Sequence, residues 1–214
     1  MNTPPQTVAV AFTGASGMPY GLRLVESLLG ADCKVWLLYS QVAQIVARQE
    51  MELNLPSRPG EVQAMLSDQF AAKPGQLRVF GREEWFAPLA SGSNPADAMV
   101  VCPCTMGTLA AIAAGLAQNL IERAADVAIK EGRKLVLVPR ETPFSAIHLE
   151  NMLKLARLGV VILPPSPGFY THPRTVDDMV DFVVARVMDQ LHVPHTLIRR
   201  WGDESASDKG GEHE

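Results

Sequence analysis

Six short, almost unbroken apolar runs, each closed by Gly, Pro or Ser, limit what this chain can become: residues 7–13, 34–39, 77–80, 98–102, 134–139 and 160–164. A strand with one face in water alternates polar and apolar side chains, whereas one covered on both faces does not. Continuous Val, Leu and Ile therefore predict a parallel sheet with helices packed on either side. Helical spacing fills the intervals, at 19–29, 41–50, 61–70, 107–115, 119–131, 146–158 and 175–191. Pro19 falls in a first turn, where its missing N–H is tolerated, and Val176, Met179, Val180, Val183, Val184 and Val187 predict one apolar stripe along the last helix. The unbroken β-α alternation predicts one doubly wound α/β domain over 1–203, with its first strand central and a switch of direction beside it.

The remainder of the chain, 204–214, is polar and without periodicity, and reads as a disordered tail with no part in chemistry. With 19 basic against 23 acidic residues, the net charge of -4 offers nothing to a polyanion, so nucleic acid is an unsuitable partner. No apolar stretch reaches the roughly 18 residues of a membrane helix, and the opening "MNTPPQ" lacks a basic region followed by an apolar one, which predicts a cytoplasmic protein. Cys33, Cys102 and Cys104 are odd in number and lack metal-ligand spacing; they read as buried, reduced thiols. No zinc spacing, Walker loop or Ser-His-Asp order is present.

In open α/β sheets ligands bind beyond the carboxyl ends of the strands. The residues that close the strands here are "TGASG", "YSQ", "CPCTMGT", "PRET" and "PPSPGFY", mostly small or hydroxylated, as in the lining of a phosphate-bearing ligand site. Gly14-Ala15-Ser16-Gly17 followed by Gly21 departs from the dinucleotide pattern G-x-G-x-x-G, because Ser16 stands where the second glycine would approach a pyrophosphate. The corner is either a tight turn that binds nothing or a nucleotide contact made by the N–H groups of the turn and first helical turn. Thr105, Met106, Gly107 and Thr108 open a helix in the same way, and would cap it with or without a ligand.

Arg123 and Lys130, two helical turns apart, share one helix face beside Glu122, either as a solvated face or as cations for a ligand. Arg140 and Glu141 close the fifth strand, where a guanidinium can grip a phosphate and a carboxylate can relay a proton. Tyr170 and Arg186 are unremarkable alone, and Glu50 ends the second helical pattern. Trp85 and Trp201 lie in loops, where they shield core edges or face a carbocation.

Taken together, "TGASG", "CPCTMGTLAAIAAG", "NLIERAADVAIKEGRKLVLVPRETPFSAIHLENMLKLARLG" and "PGFY" resemble the flavin prenyltransferase (UbiX-type) family over roughly residues 7–203, the long central block being the specific part. The resemblance implies a Rossmann-like homo-oligomer, typically a dodecamer. It also implies metal-free transfer of a prenyl group from dimethylallyl phosphate to N5 and C6 of reduced FMN, and delivery of prenylated FMN to a UbiD-type decarboxylase. It further implies FMN contacts at Gly14, Ala15, Ser16, Ser40, Thr105, Met106, Gly107, Thr108 and Arg140, with Thr105 where many relatives carry serine. Tyr170, Arg186, Arg123 and Lys130 match the prenyl-phosphate cradle, Trp85 and Trp201 its aromatic walls, and Glu50 and Glu141 acidic active-site positions. Ser16, Glu50, Lys130 and Glu141 are the expected catalytic set. Contributors on separate elements, some near the far end of the chain, predict a pocket completed across subunit boundaries.

Two other readings share parts of this pattern. An FMN-dependent decarboxylase of the cysteine-decarboxylase group would carry a Pro-x-Met-Asn-x-x-Met-Trp clamp where this chain has "PRETPFSAIHLENM". A flavodoxin-like electron carrier would need a hydroxyl-rich first loop and a strongly acidic docking face.

Overall fold

The computed structural model describes residues 6–200 and residue 202. Its strands are β1 (Thr7–Phe12), β2 (Lys34–Tyr39), β3 (Leu77–Val79), β4 (Ala98–Cys104), β5 (Lys134–Pro139) and β6 (Val161–Ile162). Its helices are α1 (Met18–Gly30), α2 (Gln41–Met51), α3 (Pro59–Gln69), α4 (Met106–Ala113), α5 (Leu120–Lys130), α6 (Ala146–Arg157) and α7 (Val176–Leu191). Short 3-10 turns occur at Pro88–Ala90 and Phe169–Thr171.

All pairings are parallel, in the order β3-β2-β1-β4-β5-β6, so the chain reverses its direction of travel across the sheet between β1 and β4. That is the switch point at which neighbouring loops part and leave a crevice. Strand geometry sends successive side chains of β1 to opposite faces. Val8, Val10 and Phe12 pack with α1, α2, α3 and α7, while the small Ala9 and Ala11 pack with α4, α5 and α6. Both faces are therefore buried, which is why the apolar runs are continuous.

Element boundaries depart from the sequence reading in instructive ways. Pro103 does not end β4: it lacks an N–H, but its carbonyl is the group used, accepting from the Thr13 N–H at 3.2 Å, with a register shift between Val101 and Cys104. Val176 is not part of the buried stripe of α7; it is 74% exposed at the helix start, and Phe182, Ala185, Met188 and Leu191 complete the stripe instead. The polar tail and Trp201 lie outside the described residues. Among the described residues no helix is long and apolar enough to cross a membrane.

Candidate active site

The floor of the crevice is Thr13, only 1% exposed, at the end of β1. Its hydroxyl donates to the Pro103 carbonyl at 2.8 Å and accepts from the Thr105 N–H at 2.8 Å, fastening the two sides of the switch point together. The sequence reading passed over this residue; a hydroxyl directly between an apolar strand and a glycine turn is the signal that could have found it.

The glycine turn above it is shaped by close approach. A Cβ on Gly14 would lie 2.3 Å from the Val42 side chain, and one on Gly21 would lie 2.5 Å from the Cys102 carbonyl oxygen. Gly17 has φ of 120°, a conformation that a residue with a Cβ rarely adopts. Steric need thus accounts for the G-x-x-G-x-x-x-G spacing without a ligand.

What occupies the start of α1 differs from expectation. Instead of standing free for a nucleotide, the N–H groups of Gly17 and Met18 donate to the Glu50 carboxylate, at 3.0 Å and 2.9 Å to Oε2. A carboxylate is the favoured charge at a helix N-terminus, so Glu50 takes the anion position of the corner for itself. Partial burial would raise its pKa, but hydrogen bonds from the Ser16 hydroxyl and the Gly17 and Met18 amides, with the Arg140 charge nearby, outweigh that and hold the carboxyl below its ordinary value. Nothing near position 50 marks this role, since the partners lie more than thirty residues away along the chain.

Ser40 and Thr105 cap α2 and α4, accepting from the amides of Ala43 and Thr108 at 3.1 Å each. A hydroxyl that accepts a cap bond keeps its own proton, and Thr105 spends that proton on the Thr108 hydroxyl at 2.9 Å. Donors left for a ligand are therefore the hydroxyls of Ser40 and Thr108. Met106 is buried and can offer only its backbone. Gly107 lies exposed in the first turn of α4, and a Cβ there would meet no atom nearer than the Thr105 hydroxyl at 4.0 Å. Glycine in a helix is worse than alanine by about 1 kcal/mol. The chain's own packing gives no reason for it here, whereas a ligand lying against the backbone would.

Arg140 and Glu141 follow β5 on the far side of the crevice. The Arg140 guanidinium is exposed and close enough to influence Glu50, and Glu141 is half-buried, accepting from the Thr142 N–H at 3.2 Å. Burial pushes the Cys104 thiol up to about 12 and the Cys102 thiol higher still, so the two cysteines behind this edge are inert, in line with their sequence reading.

The remaining expected site residues are not in this crevice. Tyr170 packs edge-on against Phe182 of α7, ring centres 5.6 Å apart, and Arg186 lies one turn further along that helix, bound to Asp189. Arg123 donates to the Ala90 carbonyl at 3.0 Å and to Asp126 at 2.7 Å, and Lys130 pairs with Glu131 beside Gly92, in the segment that leads to the amino end of β4. Arg123 and Lys130 lie on a partly exposed helix face; Glu122 beside them is buried, accepting from the Gln118 amide and the Asn119 side chain at the start of α5. Trp85 is 45% exposed next to the fully exposed Phe86. One chain thus presents its expected site residues on three separate surfaces. Helices α2 and α6 expose the apolar side chains Val42, Ile45, Ile147, Leu149 and Leu153.

The residues of the crevice fit a flavin mononucleotide: the uncovered Gly107 and the Thr108 hydroxyl at the start of α4, with the Ser40 hydroxyl at the start of α2, suit a phosphate, and the exposed Arg140 supplies a cation.

A model of the Flavoprotein family matches residues 1–188. The flavin prenyltransferase UbiX of Pseudomonas aeruginosa is 54% identical over 200 residues, 94% of this chain and 96% of that one. The UbiX of Methanocaldococcus jannaschii is 44% identical over 195 residues, 91% and 98% of the two chains. A solved AnUbiX in complex with FMN and dimethylallyl pyrophosphate superposes with a TM-score of 0.83 at 38% identity, over 94% of this chain and 100% of that one. A dodecameric FMN-dependent UbiX-like decarboxylase from Escherichia coli O157:H7 superposes with a TM-score of 0.79 at 45% identity, over 91% and 98%.

Proposed function

The chain belongs to the Flavoprotein family and, within it, to the UbiX-type flavin prenyltransferases. From that membership we propose that it joins the dimethylallyl group of dimethylallyl phosphate to N5 and C6 of reduced FMN, and that the prenylated FMN passes to a UbiD-type decarboxylase. The observation that carries this reading is the switch point itself, where Arg140 and Ser16 act on Glu50 and the neighbouring helix starts carry the Ser40 and Thr108 hydroxyls and a glycine, Gly107, that the chain leaves uncovered.

Gly14, Ala15, Ser16, Ser40, Thr105, Met106, Gly107, Thr108 and Arg140 hold the FMN, the first-turn amides of α4 and the free hydroxyls serving its phosphate. Bound and reduced, FMN supplies a nucleophilic nitrogen and an electron-rich ring edge. Arg123, Lys130, Tyr170 and Arg186 grip the phosphate of the donor, and their charge stabilises the negative charge that collects on its oxygens as the allylic C–O bond breaks. Trp85 and Trp201 flank the allylic cation with aromatic faces and exclude water. Ser16, held by an anionic Glu50, orients the acceptor nitrogen. Glu141, or the released phosphate, would take the proton lost when the ring carbon is alkylated and would hand the proton shed at the acceptor nitrogen to the alkene carbon whose double bond is consumed as the second bond closes.

Copies of the chain bring the three surfaces together. Exposed apolar side chains on α2 and α6 beside each crevice support such an assembly, and the dodecameric state of the E. coli relative supports twelve subunits. Three buried free thiols, Cys33, Cys102 and Cys104, support a cytoplasmic setting.

The test is to incubate the protein anaerobically with reduced FMN and dimethylallyl phosphate and weigh the flavin. A gain of one five-carbon unit is the expected result. Unaltered flavin, with CO2 released from a carboxylate substrate, would favour the decarboxylase reading. Glu141→Gln should still bind FMN but close the fourth ring slowly; an unchanged rate removes Glu141 from the mechanism.

A further inference from the structure

Asp189, on the last turn of α7, is a carboxylate to which the reaction described above assigns no part. Its two oxygens face two different elements. Oδ2 accepts from Nη1 of Arg186 at 2.7 Å, within the helix. Oδ1 accepts from His195 Nε2 at 3.1 Å and from Arg200 Nη2 at 3.4 Å, both on the segment that follows the helix. His195 Nδ1 accepts the Leu197 N–H at 3.4 Å, which leaves the proton of a neutral ring on Nε2, pointing at Asp189. The His195 ring is 4% exposed and Asp189 is 21% exposed, so this is a partly dry junction and not one of the exposed pairs that add little.

The segment so tied down forms a wall. Leu197, Ile198, Arg199 and Arg200 line one side of a cleft of about 480 Å3 whose other side is Tyr170 and Arg174. The carboxylate that lines this cleft, Asp178, has its charge committed to the amides of Arg174 and Thr175 at the start of α7. Asp189 alone among the described residues links the Arg186 side chain to the wall opposite Tyr170.

We propose that Asp189 is a positioning residue: it fixes the Arg186 guanidinium through one nitrogen, leaving Nε and Nη2 for a phosphate, and clamps residues 195–200 so that Arg186 and the Tyr170 cleft keep one geometry. A guanidinium has five donors in a rigid fork, so holding it by one corner aims the rest. The inference rests on the reading of Arg186 as a donor-phosphate ligand.

The experiment uses the FMN-loaded protein. Asp189→Asn keeps the size and shape of the side chain but replaces one acceptor oxygen by an NH2 and removes the charge. It should raise KM for dimethylallyl phosphate by about tenfold, the size of a lost charge-assisted hydrogen bond, and change kcat by less than about threefold. FMN affinity should hold, and amide exchange across 195–200 should quicken. Asp189→Glu should recover part of the KM. In an Arg186→Ala background the same Asp189→Asn change should add almost nothing, because it acts through the missing side chain; a merely structural role would add in full. His195→Gln, which leaves the Arg186 bond intact, should loosen 195–200 with a smaller rise in KM. Wild-type KM in Asp189→Asn, or full additivity with Arg186→Ala, overturns the proposal. A wild-type protein that yields prenylated FMN while Arg186→Ala keeps normal KM overturns the reading of Arg186 and the inference with it.

Discussion

The corner at the end of β1 and the outer faces of α5 and α7 hold residues of one proposed site under opposite conditions. In the corner most polar groups are held by the chain itself: Glu50 by the amides of α1, Ser40 and Thr105 by the helices they cap, Thr13 by both edges of the switch point, so that the Ser40 and Thr108 hydroxyl protons and the Arg140 guanidinium are what is left for a ligand. On the outer faces Lys130 and Arg186 are each about half exposed, held by one acidic neighbour apiece, and Tyr170, packed beside α7, is exposed to a similar degree. The first region is finished by folding; the second, on the proposed reading, is finished by meeting another copy. The difference suits an acceptor received in a crevice that folding has already shaped and a donor gripped by side chains left open for it.

That contrast breaks most visibly in a mixing experiment. Lys130→Ala and Glu141→Gln homo-oligomers should each be nearly inactive in forming the fourth ring. Dissociated and reassembled together, they should regain a substantial share of activity, because some crevices combine intact Glu141 with intact Lys130 from another copy. Two dead variants that stay dead when mixed would place the whole site in one chain.

Next in size is the surface that would bring the copies together. Ile147 and Leu153 of α6 are 68% and 52% exposed, and Ile147→Glu with Leu153→Lys should shift the protein to smaller species by light scattering and remove prenylation while leaving helical content intact. A dodecamer that survives both charges would move the interface elsewhere.

Two glycines sharpen the contrast further. Gly21→Ala forces a Cβ against the Cys102 carbonyl and should cost about 1–3 kcal/mol by overpacking, seen as a lower Tm with or without FMN. Gly107→Ala meets nothing of the chain, so Tm of the FMN-free protein should hold or rise slightly while FMN affinity falls. Equal FMN affinity would leave Gly107 unexplained.

The smallest effect is the pH dependence carried by Glu50. Its folded pKa lies below the ordinary 4.5, so the fold favours the ionised form. The contribution is whole above 4.5 and is lost as pH falls through the folded value. Glu50→Gln should therefore flatten the acid limb of a Tm-against-pH curve and leave its neutral part lower and parallel; an acid limb as steep as wild type would assign that loss to other carboxylates.

Much of this architecture is legible in the sequence because a sheet buried on both faces writes itself as uninterrupted apolar residues, as in 98–101 and 135–138. The helices are legible from the spacing of residues such as Ala124, Val127 and Ala128. What escapes is whatever depends on distant partners. Pro103 reads as a strand end, although only its carbonyl is needed, and Val176 fits a stripe that begins a turn later. The candidate residues are recognisable by motif, yet no local pattern tells that Glu50 reaches the start of α1 or that Arg123, Arg186 and Arg140 face three directions.

The thiols of Cys102 and Cys104 sit in the innermost strand, shut away from solvent and resistant to ionisation. A small alkylating reagent can reach them only when the centre of the sheet comes apart, so the rate at which they are modified is a built-in clock for opening of the domain. The protein needs no added label for such a measurement, and FMN, by sealing the crevice above them, should slow that clock.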